Sequence, residues 1–182
     1  MNTTSLSDEE LVSQFRNGHL NGGSLLYSRY KNAIYSFCLR MLADSESAKD
    51  ATQETFLKMM TKIQSLEKGM AFKSWLFSVA RNEVLMVVRR GKIISMEKYD
   101  DENTIFDQST PLSITIQSEI HDKLAEAIRR LKPAYREAYM LREIEGLTYE
   151  EIAQVTESSV SAVKSKLFKS RAALNEMLAP YM

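Results

Sequence analysis

Apolar residues recur every three or four positions along most of this chain, the period of helices with one buried face. The stripe is clearest from about Gly22 to Leu42, where Leu26, Tyr30, Ile34, Phe37 and Met41 fall on one side. Upstream, Ser7 and Glu10 have capping-box spacing and predict a helix over Asp8–Asn17, ended by Gly18. A third helix is predicted from Asp44 or Ser45 to about Leu66, broken by Gly69. A fourth runs from about Ala71 to Arg90, with Phe72, Trp75, Leu76, Val79 and Met86 sharing the inward arc. Four such helices can bury one another as a bundle.

The period fails between Gly91 and Gln117, a stretch holding Tyr99-Asp100-Asp101-Glu102-Asn103, Asp107 and Pro111. A structureless segment this long is unusual inside one compact domain, so it reads as a linker. Its apolar clusters, Ile93-Ile94, Ile105-Phe106 and Leu112–Ile116, suggest that it docks on something, the alternative being a floppy tether with incidental apolar residues. Helical spacing resumes from about Ser118 to Leu131. Pro133 suits the first turn of a helix reaching Glu145, and Gly146 suits a left-handed stop. From Leu147 to Arg171 the pattern is two short helices and a tight turn. Thr148 and Glu151 form a second capping box, Ile152 and Val155 face inward, and Ala153 is small enough for a close crossing. Ser158 or Ser159 caps the last helix, whose apolar stripe is Val160, Val163, Leu167 and Leu174. Ser161, Lys164, Ser165, Phe168 and Lys169 fall on its other side. A DNA-reading helix-turn-helix has this layout, and so does a plain helical hairpin with a solvated lysine face. The expected fold is all-α: two small helical domains joined by a flexible linker, the second ending in a helix-turn-helix.

Charge refines this reading. The chain's 24 Lys and Arg balance its 24 Asp and Glu, which argues against a nonspecific coat on nucleic acid. The charge is segregated, however. Residues 72–92 and 159–171 each carry a local excess of four cations. One cysteine, Cys38, excludes an internal disulfide and fits a reducing compartment. No apolar run nears the ~20 residues that span a bilayer, and the polar start, Met1–Glu10, is unlike a signal peptide. No membrane insertion and a cytoplasmic location are expected. Nucleotide-cradling and zinc-protease motifs are absent. His19 and His121 lie far apart and read as surface residues, while Cys38 reads as buried and inert. Glu9-Glu10 and Glu150-Glu151 suit helix first turns. No catalytic residue, metal or cofactor is expected.

Two segments gain meaning when read together. One is Ala48-Lys-Asp-Ala-Thr-Gln-Glu-Thr-Phe-Leu-Lys58, followed by Phe72-Lys-Ser-Trp-Leu-Phe-Ser-Val-Ala-Arg-Asn82 and Arg89-Arg90. The other is Leu131-Lys-Pro and Tyr135-Arg-Glu, then Leu141 to Ala153 and Val163-Lys-Ser-Lys-Leu167. In this order and spacing the chain resembles the extracytoplasmic-function (ECF) sigma factors of bacterial RNA polymerase. The resemblance implies three parts: residues 1–90 as sigma region 2, 91–117 as linker and 118–182 as sigma region 4. It implies core RNA polymerase, promoter DNA and an anti-sigma factor as partners.

By resemblance, Asp50, Gln53, Glu54 and Phe56 bind polymerase. Leu66, Lys68, Lys73 and Asn82 serve the minus-ten element, where the Leu66–Ala71 loop and Asn82 match positions that hold flipped bases. Trp75 reads as core, with a base-stacking platform as the alternative. Tyr149, Glu150, Ser161, Lys164, Ser165, Phe168 and Lys169 match the minus-thirty-five contacts. The chain departs from the family pattern at three places. Leu66 and Glu67 stand where members often carry an aromatic residue and an arginine, Met86 where an acid is frequent, and Glu157 where the helix-turn-helix has its usual glycine. Two other readings compete. One is a helix-turn-helix regulator that binds an operator without polymerase. The other is a helical enzyme or adaptor with no DNA role.

Overall fold

A computed structural model describes residues 6–67, 70–91 and 118–181, and every regular element among them is helical. The chain divides into two compact units, one built mainly from each half. The stretch 92–117, read as a linker, and the break expected at Gly69 lie outside the described residues.

The N-terminal unit comprises α1 (Asp8–Arg16), α2 (Leu20–Leu42), α3 (Ser45–Lys62) and α4 (Phe72–Arg89). The Ser7/Glu10 capping box forms as expected, satisfying two backbone N–H groups at the start of α1. The chain leaves α1 through Gly18 at φ +86. The next helix starts at Leu20 and crosses α1 closely at Gly22. A Cβ there would stand 2.5 Å from the Leu11 carbonyl oxygen, so α2 tolerates glycine's low helix propensity for the sake of that approach. Asp8 reaches α2, accepting from Arg29 and the Tyr30 hydroxyl. Asp44 caps α3, and the hydrogen bonds from Ser47 hold its carboxyl below the usual range.

All five residues of the expected α2 stripe are buried. They meet α3 and α4, with Phe37 and Phe77 edge to face at 5.5 Å. Burying side chains of this size stabilises the unit by about 1.5–3 kcal/mol each. Cys38 is buried here, and desolvation pushes its thiol up to about 12, so the thiolate is scarce at neutral pH. Trp75 is 8% exposed, as a core residue should be. Met86 contradicts its expected inward place: it is 37% exposed, and Ala80, Val84 and Val88 fill the core side of α4 instead. The inward arc turned with α4's later residues, and Met86 shares the outer side with Asn82, one turn away.

The C-terminal unit comprises α5 (Ser118–Arg130), α6 (Pro133–Tyr139), α7 (Tyr149–Thr156) and α8 (Val160–Leu178). Pro133 occupies the first turn of α6. That helix was expected to reach Glu145 as one regular element, but it widens into a π turn over Met140–Ile144, with Glu145 N–H donating to the Met140 carbonyl. Gly146 then takes φ +71, which returns buried Leu147 to the core. The Thr148/Glu151 box starts α7. Glu157 bridges α7 to α8 at φ 52, and Ser159 caps α8. Val163, Leu167 and Leu174 of α8 are buried in the packing against α5 and α6.

Glu157 explains how the turn forms without glycine: its side chain is exposed, and its backbone accepts the left-handed conformation at a steric cost. That cost is about 1–2 kcal/mol, set against the extra unfolded-state freedom of glycine. Glu157→Gly should therefore raise the stability of this unit by about 0.5–1 kcal/mol in urea unfolding. A lowered midpoint would mean that the Glu157 side chain stabilises the turn by more than its strain.

Candidate functional site

Three exposed faces carry the candidate residues, two on the N-terminal unit and one on the C-terminal unit.

The first face is the outer side of α3. Ala48, Ala51, Thr55 and Met59 are buried, while Asp50, Gln53 and Glu54 point to solvent. Phe56 departs from the expected surface role. It is 5% exposed and packs edge-on against Tyr27 of α2, with ring centroids 4.8 Å apart. Its part is to support the face from beneath. Sequence reasoning passed over Leu57 and Met60, which are 46% and 58% exposed on the same outer arc, and Tyr27, 46% exposed against Phe56. The face is thus acidic and polar toward the start of α3 and apolar toward its end. Behind it, Lys58 pairs with buried Glu83 at 2.5 Å and ties α3 to α4.

The second face involves α4 and the loop before it. Asn82 is exposed, with Met86 and Arg89 on the same side. Lys73 is half-buried with its ammonium 6.0 Å from the Phe77 ring centroid. Nine helical residues turn about 180°, so Lys73 and Asn82 are not brought to one side of α4. Leu66 is another departure: it is 8% exposed and anchors the loop instead of presenting itself. Lys68 lies outside the described residues. A cleft of about 450 Å³ opens between α1 and this loop, lined by Glu9, Ser13, Arg16, Leu66, Glu67 and Met70 among others.

The third face is the outer side of α8. Ser161, Lys164, Ser165, Phe168 and Lys169 are all exposed, Phe168 by 75%. An aromatic beside Leu167 could instead have packed on a neighbouring helix, and this exposure shows that Phe168 does not. Tyr149, at the start of α7, is half-buried between two cations: its ring lies 4.8 Å from the Arg142 guanidinium and 5.7 Å from the Lys164 ammonium. The structure therefore joins Tyr149 to Lys164, and exposed Glu150 follows on the same helix end. Lys169 sits 5.8 Å from the Tyr135 ring. Arg171 is committed to Glu143 through bonds of 3.1 and 2.5 Å, so its charge is largely neutralised. Lys164, Lys166 and Lys169 carry the positive potential, and no acid lies in the first turn of α8 to offset it.

Among the described residues no cluster of His, Cys, Asp and Glu has the grouping of a metal site, and no helix is long and apolar enough to cross a membrane. The chemistry on offer is recognition by polar, apolar and cationic surface.

Comparison with known proteins gives both halves a counterpart. The family model for sigma-70 region 2 matches residues 26–93, and the one for sigma-70 region 4 matches residues 121–174. The ECF RNA polymerase sigma-E factor of Haemophilus influenzae is 30% identical, over 97% of this chain and 98% of its own. The RNA polymerase sigma-H factor of Pseudomonas aeruginosa is 29% identical, over 98% of this chain and 97% of its own. Among solved structures, the sigma factor RpoE of Bartonella quintana, in complex with the anti-sigma factor NepR, is 25% identical with a TM-score of 0.70. That match covers 86% of this chain and 96% of that one. CnrH, solved with the cytosolic domain of CnrY, shares the fold at 20% identity and a TM-score of 0.70, over 95% of this chain and 97% of that one.

Proposed function

Because this chain belongs to the ECF sigma factors, alternative sigma factors that direct transcription initiation, we propose how its parts divide that work. Residues 1–90 bind core RNA polymerase and open the minus-ten element, residues 91–117 link, and residues 118–182 read the minus-thirty-five element as duplex. The observation that carries this reading is the pairing, on one chain, of the exposed α3 face with the cationic α8 face. An operator-binding regulator needs only the second.

Asp50, Gln53 and Glu54 meet the polymerase, with Leu57, Met60 and Tyr27 supplying apolar contact area and Phe56 supporting them. The protein works in the cytoplasm and contributes binding, leaving bond formation to the core enzyme. An anti-sigma factor is a further partner, a reading supported by the RpoE complex.

Asn82 holds an unpaired base, since its amide both donates and accepts. Asn82→Ala should slow open-complex formation on duplex promoter by about tenfold, the worth of one well-placed polar contact. A premelted template should restore most of the rate. An equal defect on both templates would assign Asn82 to polymerase binding or folding.

On α8, Lys164 and Lys169 hold phosphates, because lysine is a flexible point charge. Ser165 and Phe168 face base edges, the exposed phenyl ring suiting a thymine methyl group. Tyr149 and Glu150 contact backbone or a cytosine amine, and Ser161 lies on the same arc. Lys169→Ala should weaken DNA binding evenly across sequences and reduce the salt slope by about one. Substitutions at Ser165 or Phe168 should change which upstream sequences are preferred. Titration of the holoenzyme against promoter variants at several salt concentrations checks both. A Lys169→Ala protein with altered preference and an unchanged slope would reverse these roles.

A further inference from the structure

Arg16 is the last residue of α1, yet its guanidinium serves the far end of α3. Nε and a terminal nitrogen donate to the Ile63 carbonyl at 3.1 and 2.9 Å, and the terminal nitrogen also reaches the Leu66 carbonyl at 2.5 Å. Gln64 returns a bond of 3.2 Å from its side-chain amide to the Arg16 carbonyl. The last carbonyls of a helix have no partner within it. Here α3 finishes in a 3-10 turn over Ile63–Ser65, and Leu66 turns away at ψ 115. Arg16 thus closes the end of α3 and grips the first residue of the following loop with one planar group.

The same arginine lines the cleft between α1 and that loop. Its two walls come from separate stretches of chain, and Arg16 joins them by hydrogen bonds. We infer that Arg16 is a positioning residue for base capture: by holding the Ile63 and Leu66 carbonyls it fixes Leu66, Glu67 and Met70 in place before DNA arrives. The inference rests on the reading that this loop receives a minus-ten base. A site that discriminates bases has to hold its groups within about 0.5 Å, and loops seldom do so unaided. Lysine is a poorer substitute: one terminal nitrogen of Arg16 reaches both carbonyls, but Nε adds a second bond to Ile63 that fixes the plane, and a flexible ammonium has no such second point.

The test uses holoenzyme assembled from the full chain and core polymerase, on premelted promoters randomised across the minus-ten element. Arg16→Met keeps the aliphatic stem and removes the fork. It should flatten base preference at the captured position by about tenfold while leaving co-purification with polymerase intact, since a loop displaced by an ångström loses its contacts. Arg16→Lys should fall between the two. The paired variant Glu67→Ala, Met70→Ala tests the underlying reading, because it alters the wall and leaves the clamp. If the wall variant shifts preference but Arg16→Met lowers use of every sequence by the same factor, Arg16 is merely a staple and the inference is overturned. If the wall variant leaves preference unchanged, the loop is not the capture site and both ideas fall. Should Arg16→Met prove unfolded by circular dichroism, Arg16→Lys carries the test with the same two outcomes.

Discussion

A chain carrying Gln53→Lys and Glu54→Lys is expected to lose co-purification with core RNA polymerase. Both side chains are exposed on the outer arc of α3, so neither supports the core. The pair changes the local charge by three units in the positive direction. Wrongly placed charge in an interface costs several kcal/mol, and each 1.4 kcal/mol is tenfold in affinity, so binding should fall by about a hundredfold or more. The fold should survive. Lysine is a good helix former, and the new like-charge pairs, residue 53 with Lys49 and residue 54 with Lys58, cost only about 0.2–0.5 kcal/mol each. Helicity by circular dichroism should match the parent chain. Undiminished capture of polymerase by the variant would remove α3 from the interface.

Leu167→Ala should have a comparably large effect confined to the C-terminal unit. Leu167 is 1% exposed at the centre of the α8 stripe. Removing a buried leucine side chain costs about 2–5 kcal/mol. A unit of this size has about 3–10 kcal/mol of stability, so most of it would be lost. The chain contains one tryptophan, Trp75, in the N-terminal core, which gives a local probe. In urea, far-ultraviolet dichroism should begin to fall at a lower concentration in the variant, while Trp75 fluorescence keeps its parent midpoint. Recognition of the minus-thirty-five element should fail while polymerase capture persists. If both probes shift together, the two units do not fold independently.

Much of this architecture is legible in the chain because local rules and tertiary packing agree. The boxes at Ser7/Glu10 and Thr148/Glu151, the α2 stripe and the Gly146 stop all appear where spacing puts them. The misplacements have definite origins. The motif alone puts Phe56 on the surface, although it follows Thr55 and sits at the edge of the Ala48, Ala51, Thr55, Met59 stripe. That same stripe leaves Leu57 and Met60 outside, a signal that periodicity alone contained. Leu66 lies three residues after buried Ile63, and together they end α3 against α1. An arc set by the start of α4, where more of the helix circumference is buried, puts Met86 inward. The π turn at Met140–Ile144 had no local signature. Arg16 lies 47 residues from Ile63, and no pattern within one helix reveals a bond of that range.

The central claim is that this chain turns core polymerase into a promoter-specific enzyme. Its most direct test is transcription in vitro from a genomic promoter library, with core polymerase alone and with the purified chain added. The account predicts discrete new start sites only in the second reaction, each preceded by two shared sequence elements. Randomising the upstream element should abolish dependence on Phe168 and Ser165. A chain that protects DNA without polymerase and yields no new transcript when core enzyme is saturated with it would contradict the account.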